Sequence, residues 1–318
     1  MKILIVHTYG LGDMIMATPA ICSLCEAYPS AKIDYLVFQK HAAAPVRHCD
    51  RTEQIIYSGF EISAIMMALR SLRRIRYDIV MHTSGTAVWK IAPLMLLLGG
   101  KVKIGEFVGI KIPWYSFQNA KKPMMHRVEA NLALVGNLAE KRVLKPRYCL
   151  PDQSAGDTLR WIRENGFAGK KLIGLHPGCN QAFVQRRWGV ENYVSLIKRI
   201  RENMDGVAIV VFAGPDEIEE AVEIVRATEN SKLYRDNIDN VAALISHLEI
   251  MVTNDSGLGH IASCFGVKTL TIFVYGSYAT LERTRPWGEN AYIADFRKSK
   301  PENEVERVFS LLEKAVDA

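Results

Sequence analysis

Two short segments, about 240 residues apart, carry residue types suited to holding an anion and moving a proton. The first is Tyr9-Gly10-Leu11-Gly12-Asp13, directly after the apolar run Ile3-Leu4-Ile5-Val6. The second is Asn254-Asp255-Ser256-Gly257-Leu258-Gly259-His260, directly after Leu248-Glu249-Ile250-Met251-Val252. Each places a carboxylate and small residues where a strand gives way to a helix. Unsatisfied backbone N–H groups and the positive helix end favour an anion there, and glycine lets a ligand approach the backbone.

Gly10-x-Gly12-Asp13 is not a dinucleotide fingerprint, because Ile15 occupies the position that would need a third small residue. It also lacks the Lys-Ser/Thr ending of a phosphate-binding loop, so hydride transfer and P-loop chemistry are disfavoured. Alone, Asp13 reads more readily as a helix-start carboxylate contributing about 0.5–1 kcal/mol. The six cysteines show no paired metal-ligand spacing. Cys22-x-x-Cys25 falls inside the first expected helix and reads as packing, with a reducing cytoplasm the natural compartment. No His/Cys/Asp/Glu cluster suggests a metal site.

Three further motifs follow strands in the second half: His176-Pro177-Gly178 with Arg186-Arg187-Trp188 a few residues on, Phe212-Ala213-Gly214-Pro215-Asp216-Glu217, and the Asn254–His260 turn. Together with Gly10-Leu11-Gly12-Asp13 and Ala17-Thr18-Pro19-Ala20, this ordered set resembles the ADP-heptose:lipopolysaccharide heptosyltransferase family, glycosyltransferase family nine, over nearly the whole chain.

The resemblance implies a GT-B architecture, two Rossmann-like domains with parallel sheets facing a central cleft. It implies an inverting, metal-independent transfer of a heptose or related sugar from a nucleotide diphosphate, ADP-heptose, with no cofactor beyond that co-substrate. The acceptor would be a lipopolysaccharide core or similar anionic glycan. Asp13 aligns with the catalytic aspartate and is the candidate base for the acceptor hydroxyl. Gly12, Ser256, Gly257, Gly259 and His260 are candidate donor-site residues, and Asp255 is expected to meet sugar hydroxyls.

Arg186 stands where many members have a lysine, and Arg187 competes with it for the diphosphate. Glu217 is a candidate for the nucleoside, with a helix-start role as the alternative. His176 reads as a hydrogen-bonded structural group. Two other function classes remain: a sugar-nucleotide epimerase of related two-domain shape, and a non-catalytic sugar-nucleotide-binding protein.

The elements that would position these residues alternate regularly. Strands are expected at Ile3–Val6, Lys32–Phe38, Tyr77–His82, Leu172–Leu175, Val207–Phe212, Ile250–Thr253 and Thr269–Phe273, with helices between them such as Met14–Tyr28, Ile62–Ile75, Asp157–Asn165, Val190–Asn203 and Glu217–Thr228. That alternation means parallel sheets covered by helices, with ligands at the carboxyl ends of the strands. A proline-bearing stretch at Arg142–Asp152 reads as a linker. The expected domains are therefore 1–152 on the acceptor side, 153–300 for the nucleotide sugar, and a C-terminal helix over 301–318 packing back on the first domain. The apolar run Ile91–Leu98 is too short to span a membrane and reads as buried. Met1-Lys2 leads directly into a strand, so no secretory signal is expected.

Charge is unevenly spread. Residues 1–150 hold 20 Lys and Arg against 10 Asp and Glu, whereas residues 151–318 hold 20 against 24. The basic first half suits an anionic partner, either the acceptor or an inner membrane face met peripherally, with Arg70, Arg73, Lys121, Lys122 and Arg127 as candidate acceptor contacts. No nucleic-acid module is present, and the aromatic residues lack the spacing of a stacking platform.

Overall fold

The computed structural model describes residues 1–276, 278–298 and 303–317, and they fall into two units. The first comprises Met1–Cys149 with Glu282–Thr284, and the second Leu150–Leu281 with Arg285–Ala318.

In the first unit the order is β1 (Lys2–His7), α1 (Leu11–Ala27), β2 (Lys32–Val37), α2 (Ala44–Arg47), β3 (Thr52–Tyr57), α3 (Ile62–Leu72), β4 (Ile79–His82), α4 (Val88–Leu97), β5 (Val102–Phe107), β6 (Phe117–Ala120) and α5 (Arg127–Val135). The six strands form one sheet in the order β3-β2-β1-β4-β5-β6, and every pairing is parallel. β1 is central and buried on both faces from Ile3 to His7, as its unbroken apolar run requires. Leu4, Val6, Leu36 and Val80 point to one face, where Leu69 and Leu72 of α3 and Ile91, Leu94 and Met95 of α4 complete a core.

Two expectations need correcting here. The run Ile91–Leu98 is not wholly buried: it forms most of α4 and ends in Leu98, with Ile91, Leu94, Met95 and Leu98 inward and Leu96 and Leu97 exposed. The cysteines, expected to be reduced, include a disulfide between Cys49 and Cys149, whose Cα atoms lie 5.3 Å apart. Cys149 N–H donates to the Pro45 carbonyl in α2 at 3.0 Å, which brings together residues separated by 100 positions. Cys22 and Cys25 are free and half-buried within α1. Burial raises both thiols, Cys25 to about 11, so neither favours the thiolate.

The second unit runs α6 (Asp152–Glu164), β7 (Lys171–His176), α7 (Val190–Asn203), β8 (Val207–Phe212), α8 (Ile218–Arg226), β9 (Ser231–Tyr234), α9 (Ile238–Ile245), β10 (Ile250–Asn254), α10 (Gly257–Phe265), β11 (Lys268–Phe273), α11 (Tyr278–Thr284), β12 (Ala291–Asp295) and α12 (Glu304–Asp317). Its sheet is again six-stranded and parallel, in the order β12-β11-β10-β7-β8-β9. The C-terminal helix completes this unit's core instead of the first's. Val308, Phe309, Leu312 and Ala315 of α12 pack with Leu196 and Ile200 of α7 and with Leu270 and Ile272 of β11. Residues 301, 302 and 318 of the expected C-terminal segment lie outside the described residues. Among the described residues, no helix is long and apolar enough to cross a membrane.

Candidate active site

Both sheets reverse their strand order once, beside the first strand of each unit. In the first unit the switch lies between β1 and β4, and the chain leaves β1 there through Gly10 into α1. Asp13 occupies the first turn of α1, beside the positive helix end. Arg127, the first residue of α5, forms an ion pair with Asp13 through Nη1 and Oδ1, and lies 5.0 Å from the Tyr9 ring. The approach depends on Gly85. Its φ is +110°, and a Cβ there would overlap the Arg127 guanidinium.

The turn carrying Gly85 is held from beneath. Buried Glu106 accepts from Ser84 Oγ at 2.6 Å through Oε1 and from Gly85 N–H at 3.1 Å through Oε2. Ser84 N–H donates to Asn131 Oδ1 at 2.8 Å, and Glu106 N–H donates to His82 Nε2 at 3.0 Å. Lys121 donates from Nζ to the carbonyls of Gly85 and Thr86 at 3.1 and 3.3 Å. Burial lowers the Lys121 pKa, an effect that nearby Glu106 opposes.

His7, at the end of β1, donates from Nε2 to the Gly10 carbonyl at 3.1 Å and accepts at Nδ1 from Thr83 Oγ1 at 2.8 Å. Burial lowers its pKa despite the opposing charge of Asp13, so the ring is neutral and its tautomer is fixed by these partners. The result is a carboxylate at a helix start whose neighbouring turns are all hydrogen-bonded into place.

In the second unit the switch lies between β7 and β10, with His176 paired in register to Thr253. Ser256 is the N-cap of α10, and its Oγ lies 2.8 Å from Thr253 Oγ1 and 3.0 Å from His176 Nδ1. His176 donates from Nε2 to Glu217 Oε1 at 2.9 Å, and Gly214 N–H donates to the same oxygen at 2.6 Å. Burial pushes the Glu217 carboxyl up, but the His176 hydrogen bond and charge and the Gly214 N–H outweigh it, so the net shift is below the usual carboxylate range. Gly178 makes room for this carboxyl, because a Cβ there would overlap it. Asn254 ties the loops together. Its Nδ2 donates to the Pro177 carbonyl at 2.5 Å and its Oδ1 accepts from Trp188 N–H at 3.1 Å.

The two candidate arginines part company. Arg186 donates from Nη1 to Asp255 Oδ2 at 2.8 Å and stacks 4.2 Å from the Phe183 ring centre. Arg187 pairs with Glu220 and donates from Nη2 to the Asp216 carbonyl at 2.9 Å. Arg186, Asp255, Ser256 and Gly257 thus gather at the start of α10, where first-turn N–H groups have no helical partner. Gly259 and His260 lie behind them, buried within α10, and Gly12 is half-buried in the first turn of α1. Glu217 is buried, with one oxygen taken up by the protein itself.

Sequence reasoning placed Arg127 and Lys121 among acceptor contacts, whereas Arg127 pairs with Asp13 and Lys121 holds the Gly85–Thr86 turn. It did not single out His7, Gly85 or Glu106. The small polar run Thr83-Ser84-Gly85-Thr86 at the end of a strand was the available signal.

The fold and site therefore define a two-domain α/β protein with a helix-start carboxylate at one switch point and an anion-suited helix start at the other. The glycosyltransferase family 9 (heptosyltransferase) model matches residues 65–317, and the chain belongs to that family. It is a glycosyltransferase built on the two Rossmann-like domains of the GT-B architecture. Lipopolysaccharide heptosyltransferase 3 of Escherichia coli (strain K12) is 25% identical, across 93% of this chain and 89% of that protein. The crystal structure of the glycosyl transferase family 9 protein from Veillonella parvula DSM 2008 matches with a TM-score of 0.82 at 17% identity, covering 99% of this chain and 97% of that one. The UDP-GlcNAc 2-epimerase from Methanocaldococcus jannaschii matches more weakly, with a TM-score of 0.57 at 14% identity over 100% of this chain and 93% of that one. The epimerase alternative therefore rests on shared fold alone.

Proposed function

We propose that this chain is an inverting heptosyltransferase that moves a heptose, or a related sugar, from ADP-heptose to a lipopolysaccharide core or similar anionic glycan. The observation that carries the reading is the position of Asp13, a carboxylate in the first turn of α1 held through one oxygen by Arg127. In the proposed step the acceptor hydroxyl gives its proton to Asp13 as its oxygen bonds to the anomeric carbon. The bond from that carbon to the diphosphate breaks from the opposite face, and the nucleotide diphosphate departs with the electron pair.

Developing charge on the leaving group is assigned to Arg186 and the first-turn N–H groups of α10. In this reading no metal ion is needed, because those groups supply the positive charge. Arg186 is paired with Asp255 in the free protein. An incoming diphosphate would take over the guanidinium and leave Asp255 to accept from sugar hydroxyls. Ser256 and Gly257 would line the phosphate side. Glu217, through His176, would hold the loops that carry the nucleoside. Gly12 would keep the base accessible, and peripheral contact with an anionic membrane surface belongs to the same proposal.

The test is transfer from ADP-heptose to a truncated lipopolysaccharide acceptor by the wild type and Asp13→Asn. Transfer is expected to fall by orders of magnitude in the variant while ADP affinity changes little. Equal activity would remove Asp13 as the base. Donor turnover without any acceptor would replace the transferase reading with a donor-processing one.

A further inference from the structure

α3 and α4 share one core on one face of the first sheet, yet their outward sides are unusually apolar. On α3, Ile62 is 79% exposed and Met67 is 66% exposed, with Met66 beside them. On α4, Trp89 is 75% exposed, and Leu96 and Leu97 are also exposed. These are large side chains whose exposure to water is unfavourable, and two helices that share a core yet each expose several of them mark an interaction site.

The charges around them have one sign. Arg70, Arg73, Arg74 and Arg76 follow the methionines on and just after α3. Lys90 Nζ lies 5.1 Å from the Trp89 ring centre, and Lys103 Nζ donates to the Leu96 carbonyl at 3.2 Å. Between residues 62 and 104 the chain holds seven Lys and Arg but a single acid, Asp78, which pairs with Lys101 at 2.8 Å.

We propose that the outward surface of α3 and α4 is a docking face for an anionic lipid bilayer, with Ile62, Met66, Met67, Trp89 and Leu97 entering the interface and the arginines meeting lipid phosphates. The arrangement is that of interfacial helices: apolar residues flanked by Arg and Lys, with a tryptophan whose amphipathic ring suits the headgroup level. A second copy of this chain fits poorly, because an isologous contact would set these arginines against each other. Nucleic acid would leave the methionines and Ile62 uncovered. The proposal rests on the peripheral membrane contact of the transferase reading and assigns it a surface; its failure is separable from failure of the chemistry, because none of these side chains belongs to the Asp13 turn.

The experiment is co-sedimentation of the full-length protein with vesicles of phosphatidylcholine, with and without phosphatidylglycerol. Binding is expected only to the anionic vesicles and to weaken steeply with salt, as the screening length falls from about 10 Å at 0.1 M to about 3 Å at 1 M. Arg73→Gln and Arg74→Gln should each weaken binding about fivefold. Met67→Ser combined with Trp89→Ser should weaken it about tenfold or more. Lys198→Gln, at an exposed position of α7, should leave binding unchanged. Thermal unfolding of each variant verifies folding, and transfer to a delipidated acceptor by Met67→Ser/Trp89→Ser separates this face from catalysis. Equal binding to both vesicle types, no binding at all, or binding indifferent to the α3 and α4 substitutions would overturn the proposal. So would self-association in lipid-free solution that Met67→Ser/Trp89→Ser abolishes.

Discussion

Arg186 Nη1 lies 2.8 Å from Asp255 Oδ2 at the start of α10, while Arg187 is committed to Glu220 and to the Asp216 carbonyl. Adjacent residues of one charge thus have separate work. Arg186 can exchange its carboxylate partner for a diphosphate without dismantling a loop. Arg187 fastens the loop after β7 to the start of α8, and its charge is maintained: burial opposes it, but contacts with Cys179, Glu220 and Glu217 raise its pKa overall. Arg186→Ala is expected to weaken ADP binding by tenfold or more, since a hydrogen bond to a charged group contributes about 1.5–3 kcal/mol. Arg187→Ala should leave ADP affinity within a few-fold and lower the unfolding temperature. Calorimetric titration with ADP and thermal melts of both variants check this, and the opposite pattern would exchange the two roles.

Gly85 sets the geometry around Asp13 through Arg127. A side chain there faces two penalties, a φ of +110° and overlap with the Arg127 guanidinium. Residues in such backbone regions cost about 1–3 kcal/mol. Gly85→Ala is therefore expected to destabilise the protein by roughly that amount and to push Arg127 off Asp13. Sugar transfer should fall at least about tenfold, the scale expected when a reacting group is displaced, while ADP affinity stays the same. Unchanged transfer in a folded Gly85→Ala protein would show that the Arg127 contact does not matter for the reaction.

The strands that could be read from the sequence are those buried on both faces. β1, β7 and β8 are near-continuous apolar runs, because helices cover both sides of a parallel sheet, and β10 and β11 keep the same burial with threonines among their apolar residues. The edge strands β3, β6, β9 and β12 carry residues such as Glu53, Gln118, Lys232 and Asp295, and their patterns are too mixed to stand out. The same division holds in the site. Asp13, Asp255 and Ser256 announce themselves by following a strand. Arg127 meets Asp13 across 114 positions of sequence, and Glu106 supports Gly85 across 21. Such pairings exist only once the sheet order has brought distant turns together. The outward faces of α3 and α4 were hidden for a related reason: apolar periodicity alone does not say which half of a hydrophobic helix meets the core.

His7 and Glu217 are two of the buried groups whose depressed pKa values shape the acid side of the stability profile. Burial lowers His7 from 6.5, so the folded protein holds this ring neutral while the unfolded chain protonates it. Its contribution is fully present above pH 6.5 and declines as the pH falls below that value. Glu217 is lowered from 4.5: burial opposes its charge, but the His176 hydrogen bond and charge and the Gly214 N–H prevail. Its contribution is fully present above pH 4.5 and is lost as the pH falls below that toward the folded value. Glu217→Gln should therefore be less stable than the wild type at neutral pH, and the gap should close under acid conditions as the wild-type carboxylate also becomes neutral. Urea denaturation of both proteins across the acid range measures the gap directly. A gap that does not change with pH would mean that the shape of the Glu217 side chain, and not its charge, holds the loops of the second unit together.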